Sequence, residues 1–232
     1  GPLVRFKPDN IDRITIAEGT DSAVTLKRGN GGWILPDADG YPADPDKAGQ
    51  LIERIKSLKA GDVVARTREA RKRFQVAPDD FKRRITLASG DQTRVQLYFG
   101  TSPGKDRIHV RRNGENPVHI VRFGTYDAPV ELADWRNKTL LQIPGEAITG
   151  LKLGDLHLQR EPGQAEGDNA GDSSWSAARL PAGKQINPNG VRALTQQLAS
   201  LRVDAVLGED LPDGYDWNQP TRDLRVERDE GD

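Results

Sequence analysis

The chain has 232 residues, three of them histidines (His109, His119 and His157), and neither cysteine nor methionine. Sulfur chemistry is therefore closed: disulfides, thiolate metal sites, cysteine nucleophiles and iron–sulfur clusters all need a ligand that is missing. The histidines remain as candidates for acid–base or metal work. Each lies between apolar neighbours, Ile108 and Val110, Val118 and Ile120, Leu156 and Leu158. On a strand this alternation puts the imidazole on the face opposite those neighbours, which in a one-sided sheet is the solvent face. No His-x-His or Glu-x-x-His spacing supplies a second ligand or a fixed carboxylate. The residues therefore predict exposed or structural histidines, with no metal, no cofactor and no catalytic residue.

Other constellations resolve in the same direction. Gly29-Asn30-Gly31-Gly32 has the look of a phosphate loop, but neither a helix nor Gly-Lys-Ser/Thr follows, so it reads as a hairpin turn. Asp37, Asp39, Asp44 and Asp46 cluster without the spacing or closing Glu of a calcium loop, and capping and turn roles account for them. Trp33 and Trp175 could stack on a ligand. Their equivalent positions before a helix read instead as each packing its own strand against that helix.

Charge is where the sequence points to binding. Lys and Arg (34) nearly balance Asp and Glu (35), which argues against a globally basic nucleic-acid binder. The balance hides an asymmetry. Residues 66–84 carry Arg66, Arg68, Arg71, Lys72, Arg73, Lys82, Arg83 and Arg84 against only Glu69, Asp79 and Asp80, whereas 209–232 carries nine acids and three arginines. The basic stretch is the candidate contact for an acidic partner or an anionic lipid surface, set against a merely solvated face. Its aromatics are not interleaved as a nucleic-acid surface would need.

The elements that must position these residues repeat. The first copy contains strands around Ile14 and Thr25, a strand bearing Trp33, and a helix after Asp44-Pro45, an N-cap with proline in the first turn. The second has strands around Thr149 and Leu158, then Trp175, then Asn187-Pro188. Leu51, Ile55, Leu58 and Val63 align without gaps on Leu194, Leu198, Leu201 and Val206, and Phe74 falls on Trp217. Ala48, Leu51, Ile52, Ile55 and Leu58 form one apolar stripe, so that helix must lie on a sheet. Between the copies, Arg84–Leu87, Val95–Phe99, Ile108–Arg111 and Val118–Arg122 alternate and are separated by turn signals, which predicts an antiparallel meander. Residues 127–141 read as a helix carrying Val130, Leu132 and Trp135. Residues 163–174 read as a mobile loop. Leu224-Arg225-Val226 starts a strand with nothing left to pair it, which favours a truncated second copy over a native half-copy.

A chain without methionine does not begin where a ribosome begins, and Gly1-Pro2 reads as the remnant of a cleaved tag, so a longer native protein is expected. No apolar run approaches a membrane span.

Taken together, the Ile-x-Ile strands, Gly31-Gly32-Trp33-Ile34-Leu35-Pro36, Ala43-Asp44-Pro45-Asp46 and its helix ending in Leu58-Lys59 form a distinctive set. Phe74-Gln75-Val76-Ala77-Pro78 and the run Leu132 to Leu141 add to it. This set resembles a bacterial family of unknown function encoded beside gliding-motility-type ABC transporter subunits. The resemblance implies one N-terminal membrane helix, ending just before Leu3, and a repeated region on the periplasmic side of the inner membrane. It brings no catalytic residues.

The fold expected is α+β: two related modules, each an antiparallel sheet with an amphipathic helix packed on one face. Residues 1–10 would be a linker after the membrane helix, 11–145 the first module and 146–232 the second. The function expected is a non-catalytic periplasmic accessory or scaffold domain of an ABC-type transport or gliding-type complex. Its partners would be the permease and associated membrane subunits. The alternative is a periplasmic lipid- or polysaccharide-binding module.

Overall fold

The computed structural model describes residues 1–20, 22–161, 175–207, 214, 218–220 and 222–229. Loop 163–174, Trp217, Asp21 and several acids of 209–232 lie outside the described residues. The fold is α+β, with antiparallel sheets and few helices, divided into two compact units, Gly1–Asn137 and Lys138–Asp232.

The first unit opens with β1 (Arg13–Glu18), β2 (Ser22–Gly29), β3 (Gly32–Leu35), the short β4 (Tyr41–Pro42), α1 (Lys47–Lys56) and β5 (Val63–Ala65). Then come α2 (Arg68–Arg73), β6 (Val76–Ala77), β7 (Asp80–Phe81), β8 (Arg83–Ser89), β9 (Gln92–Phe99), β10 (Ile108–Arg112) and β11 (Val118–Val121). Nine strands form one sheet in the order β4-β3-β2-β1-β8-β9-β10-β11-β5, and β6-β7 is a separate hairpin. β2 and β3 meet at Gly29↔Gly32, which makes Asn30-Gly31 the hairpin turn the sequence predicted.

Alternation decides which face is filled first. Ile14 and Ile16 of β1, Ile85 and Leu87 of β8, Leu97 and Phe99 of β9 and Val110 of β10 point to one side. There they meet Ala48, Leu51, Ile52, Ile55 and Leu58 on and just after α1. The helix starts later than Asp44-Pro45 suggests. Asp44 Oδ1 accepts the amides of Asp46 (3.0 Å) and Lys47 (3.2 Å), capping a helix that begins at Lys47. Residues 1–10 pack on this unit: Leu3 is buried and its amide donates to Leu58 O.

The opposite face is covered too. Val76 and Phe81 lie against Ala17, Tyr98 and Val118, with Phe74 and Ala65 at the margin, so the chain from α2 to β7 roofs the sheet's second side.

Residues 127–141 do not form the expected helix. A 3-10 turn, Thr125–Asp127, ends where that helix would begin, and a second, Leu132–Asp134, stands within the range. Pro129 interrupts any continuous ladder, and the Asp127 carboxylate turns back to accept the Gly124 amide (2.8 Å). Trp135 is buried all the same, its indole N–H donating to Pro129 O (2.9 Å).

In the second unit β12 (Ile148–Leu153), β13 (Leu156–Arg160) and β14 (Trp175–Ala177) precede α3 (Pro188–Ala199) and β15 (Leu224–Arg228), and the sheet order is β14-β13-β12-β15. Asn187 caps α3 through Gly190 N (3.2 Å), with Pro188 in the first turn as expected. The core is Ile148, Leu151, Leu158, Val191 and Leu198. β15 does find a partner, contrary to the sequence expectation: it runs antiparallel to β12, with Leu151↔Val226 and Leu153↔Leu224. The expectation assumed that pairing needs the next strand in sequence, whereas β12's second edge was open. Among the described residues no helix is long and apolar enough to cross a membrane.

Candidate functional site

The predicted basic stretch begins as β5 ends. Thr67 caps α2, its hydroxyl accepting the Ala70 amide (3.2 Å), and Ala70 is the helix's buried residue. Glu69 in the first turn is held below the usual carboxylate range, first by hydrogen bonding to its own backbone amide and then by the Thr67 hydroxyl. Arg68 and Lys72 are exposed and Arg71 is half-buried. These three line a depression of about 240 Å³ closed by Ala77, Pro78 and Asp79.

The helix is held to the sheet by backbone and one buried cation. Phe74 stacks on His109 (centroids 4.1 Å apart), and Phe74 O accepts the Thr101 amide (2.8 Å). Gly100 lies directly beneath. A Cβ there would sit 1.8 Å from Phe74 O, so only glycine admits this crossing. Gln75 takes a left-handed φ of 54° and turns the chain into β6. Arg111, 2% exposed, then pins β6: its Nε donates to Val76 O (2.7 Å) and its Nη1 to Arg112 O and Glu115 O (both 3.0 Å). Its guanidinium lies over the Tyr98 ring at 4.8 Å, and its buried Nη2 has no acceptor. Burial first, and neighbouring Arg71 second, push Arg111 below the ordinary arginine value. Sequence reasoning missed this residue, because an arginine in an alternating strand reads as pointing to water.

The eight predicted contact residues do not share one face. Arg68, Arg71 and Lys72 come together, and Arg66 is exposed just ahead of them. Arg73 lies over Phe74 (4.7 Å) and Arg84 over Phe81 (5.3 Å). Lys82 lines a different depression, beside Ser102 and Asp106. Arg83 is buried at 6% exposure with Nη1 3.3 Å from Glu18 Oε2; Nε and Nη1 lack an acceptor in hydrogen-bond geometry, so the pair is a charge contact only.

Two histidines depart from the expected solvent face. His109 and His119 are buried on opposite sides of the sheet: His109, on the Arg111 face of β10, lies under the α2–β7 roof, and His119, paired with Val110, lies on the α1 side where the entry to β5 covers it. His109 Nδ1 lies 2.9 Å from Thr101 Oγ1 and 2.8 Å from Thr101 O, and His119 Nδ1 lies 3.0 Å from Gly61 O. His157 is half-buried with Nε2 3.1 Å from Glu227 Oε2; Lys152 binds the other carboxylate oxygen. Hydrogen bonds from Lys152 and then His157 hold Glu227 below the usual carboxylate range. Trp33 is in the core with the Arg28 guanidinium 4.9 Å from its ring, and Trp175 is half-buried under Arg160 at 5.2 Å. Among the described residues no three His, Asp or Glu side chains group to hold a metal.

The chemistry this arrangement offers is attraction of negative charge by three arranged cations on a firmly docked helix. No curated protein and no solved structure matches the chain. A family model does match residues 33–220, spanning parts of both units, and the chain thus belongs to the family described as a domain of unknown function, DUF4340.

Proposed function

We propose that the chain is the periplasmic part of a membrane-anchored, non-catalytic accessory or scaffold subunit of an ABC-type transport or gliding-type complex, working by protein–protein binding. The observation that carries the reading is the trio Arg68, Arg71 and Lys72, displayed around one depression and backed by a buried cation, Arg111, whose Nε holds the following strand β6 in place. Binding needs such rigidity; the cations have no nucleophile or acid–base pair beside them.

The two units are related modules in this reading. β14-β13-β12-β15 follows the order of β3-β2-β1-β8, and in both a helix intervenes in the chain before the fourth strand. A tandem of this kind multiplies binding surface without adding chemistry. The resemblance noted in the sequence supplies the transporter context and the anchor.

The test is purification of the full-length native protein in mild detergent, with co-purifying proteins identified by mass spectrometry. Recovery of a permease and its ATPase is expected, lost in R68E/R71E/K72E and kept in Lys82→Glu, which alters a separate depression. Recovery of the protein alone with bound lipid or glycan overturns the reading in favour of a ligand-binding module.

A further inference from the structure

We propose that β5 is a strand-accepting edge that takes an extended, acidic segment of a partner protein. The proposal rests on the binding role above and names the partner's chemistry.

β5 closes the nine-stranded sheet. One side pairs with β11, at Val63↔His119 and Ala65↔Val118; no strand among the described residues lies on the other. The sheet's opposite end is a poorer acceptor, since β4 is two residues long and one is Pro42, which has no N–H to give. Val63 and Val64 are 39% and 40% exposed. The ladder shifts register between Val118 and His119, leaving Val64 as the extra residue of a bulge, and both valines are open to solvent.

The edge is also fixed in place. Where the chain enters β5, Gly61 crosses so near β11 that a Cβ would lie 2.6 Å from Ile120 O. Gly61 O in turn accepts from buried His119 Nδ1 (3.0 Å). An incoming strand thus meets an acceptor already ordered, which lowers the entropic cost of binding.

Charge selects the occupant. At the entry to β5 lies a groove of about 540 Å³ walled by Arg54, Lys59, Arg107 and Arg122, with Asp62 its only carboxylate. Arg54 has a distant ion contact with Asp127 (3.8 Å), while Lys59, Arg107 and Arg122 have none with a described residue. Past the other end of β5 stand exposed Arg66 and Arg68. The edge is bracketed by cations. A second copy offering its own β5 would set like charges against each other, whereas a strand bearing carboxylates is drawn in. Lipid headgroups and glycans satisfy the cations but do not use the directional main-chain groups of a sheet edge. Leu58 to Ala60 already pair with Gly1 to Leu3, so the free acceptor runs from Gly61 to Arg66 and suits about six residues of a longer segment at a strand's rise.

The experiment uses the full chain and a fluorescent peptide of valine and glutamate alternating over about eight residues, followed by anisotropy. Saturable binding is expected. It should weaken about tenfold or more in R107E/R122E, and weaken as salt is raised towards about 0.5 M. Val64→Pro, which removes a main-chain N–H from the middle of β5, should abolish it. The same peptide with alternate amides N-methylated should fail on the unaltered protein, which keeps the test valid if Val64→Pro misfolds. Equal binding by the N-methylated peptide, or by a glycine–glutamate peptide of the same charge, overturns strand addition, as does equal binding by a valine–lysine peptide. If the valine–glutamate peptide does not bind while the full-length protein still recovers its permease, this inference falls alone. If the peptide binds as described and no permease is recovered, the inference stands and the transporter assignment falls.

Discussion

A residue with no side chain fixes the basic helix. Gly100 lets the Phe74 carbonyl rest on β9's end, and Gly100→Ala must push that backbone away. The expected cost is about 1–3 kcal/mol, the range for overpacking, read as a lowered denaturation midpoint together with loss of amide protection in α2. Glu227 gives a prediction in pH. Its carboxylate ionises more easily in the folded chain than a free glutamate, so its contribution is complete above the ordinary value near about 4.3 and fades as pH falls through the lower folded value. Melts from about pH 5 to pH 3 should show the second unit weakening, and Glu227→Gln should flatten that decline. At this scale the sequence was only half legible. The basic residues were visible by type, but burial of Arg83 and Arg111 was not: Arg111 points to a second covered face on which alternation is silent, and Arg83, opposite Phe99, lies on the same core face as Ile85 and Leu87. His109 was misplaced for the first of these reasons, and His119 because the chain entering β5 covers the α1 side beside Val110.

Elements were read better where their period was long. β1, β2, the Trp33 strand, α1 and the meander β8 to β11 all lie where alternation and the apolar stripe put them, since each buries a regular face. β5, α2 and β6–β7 escaped. β5, β6 and β7 have three residues or fewer and α2 is shorter than two helical turns, too few for a period to emerge, and their positions are set by tertiary contacts such as the hydrogen bond from Arg111 Nε to Val76 O. The helix expected over 127–141 failed because Pro129 outweighs an apolar spacing that Trp135 satisfies by folding back on the Pro129 carbonyl. α2 is short enough to depend on its cap. Thr67→Ala should cost about 1 kcal/mol and raise hydrogen exchange in residues 68–73 selectively, with β8 to β11 unchanged.

For the molecule as a whole, the two units differ in what holds them. The principal core of the first gathers β1 to β3, α1 and β8 to β11 with Leu3, Phe123 and Trp135, while that of the second rests on five buried residues among those described. Calorimetry should resolve two transitions, the second unit melting first and more than about 10 °C below the other, with Trp175 fluorescence following the earlier event. The place of β1 has a consequence for how the first unit comes to exist. β1 sits mid-sheet, with β2 on one side and β8 on the other. β2 emerges next from the ribosome, but β8 follows only after α1, β5 and α2 have been made. Until then the β1–β2–β3 meander presents a bare inner edge to its surroundings, and folding waits on a long-range closure of the kind that slows β-rich domains to milliseconds or seconds. For that interval the meander keeps an unpaired strand edge, and the return of β8 sets the pace at which the first unit closes.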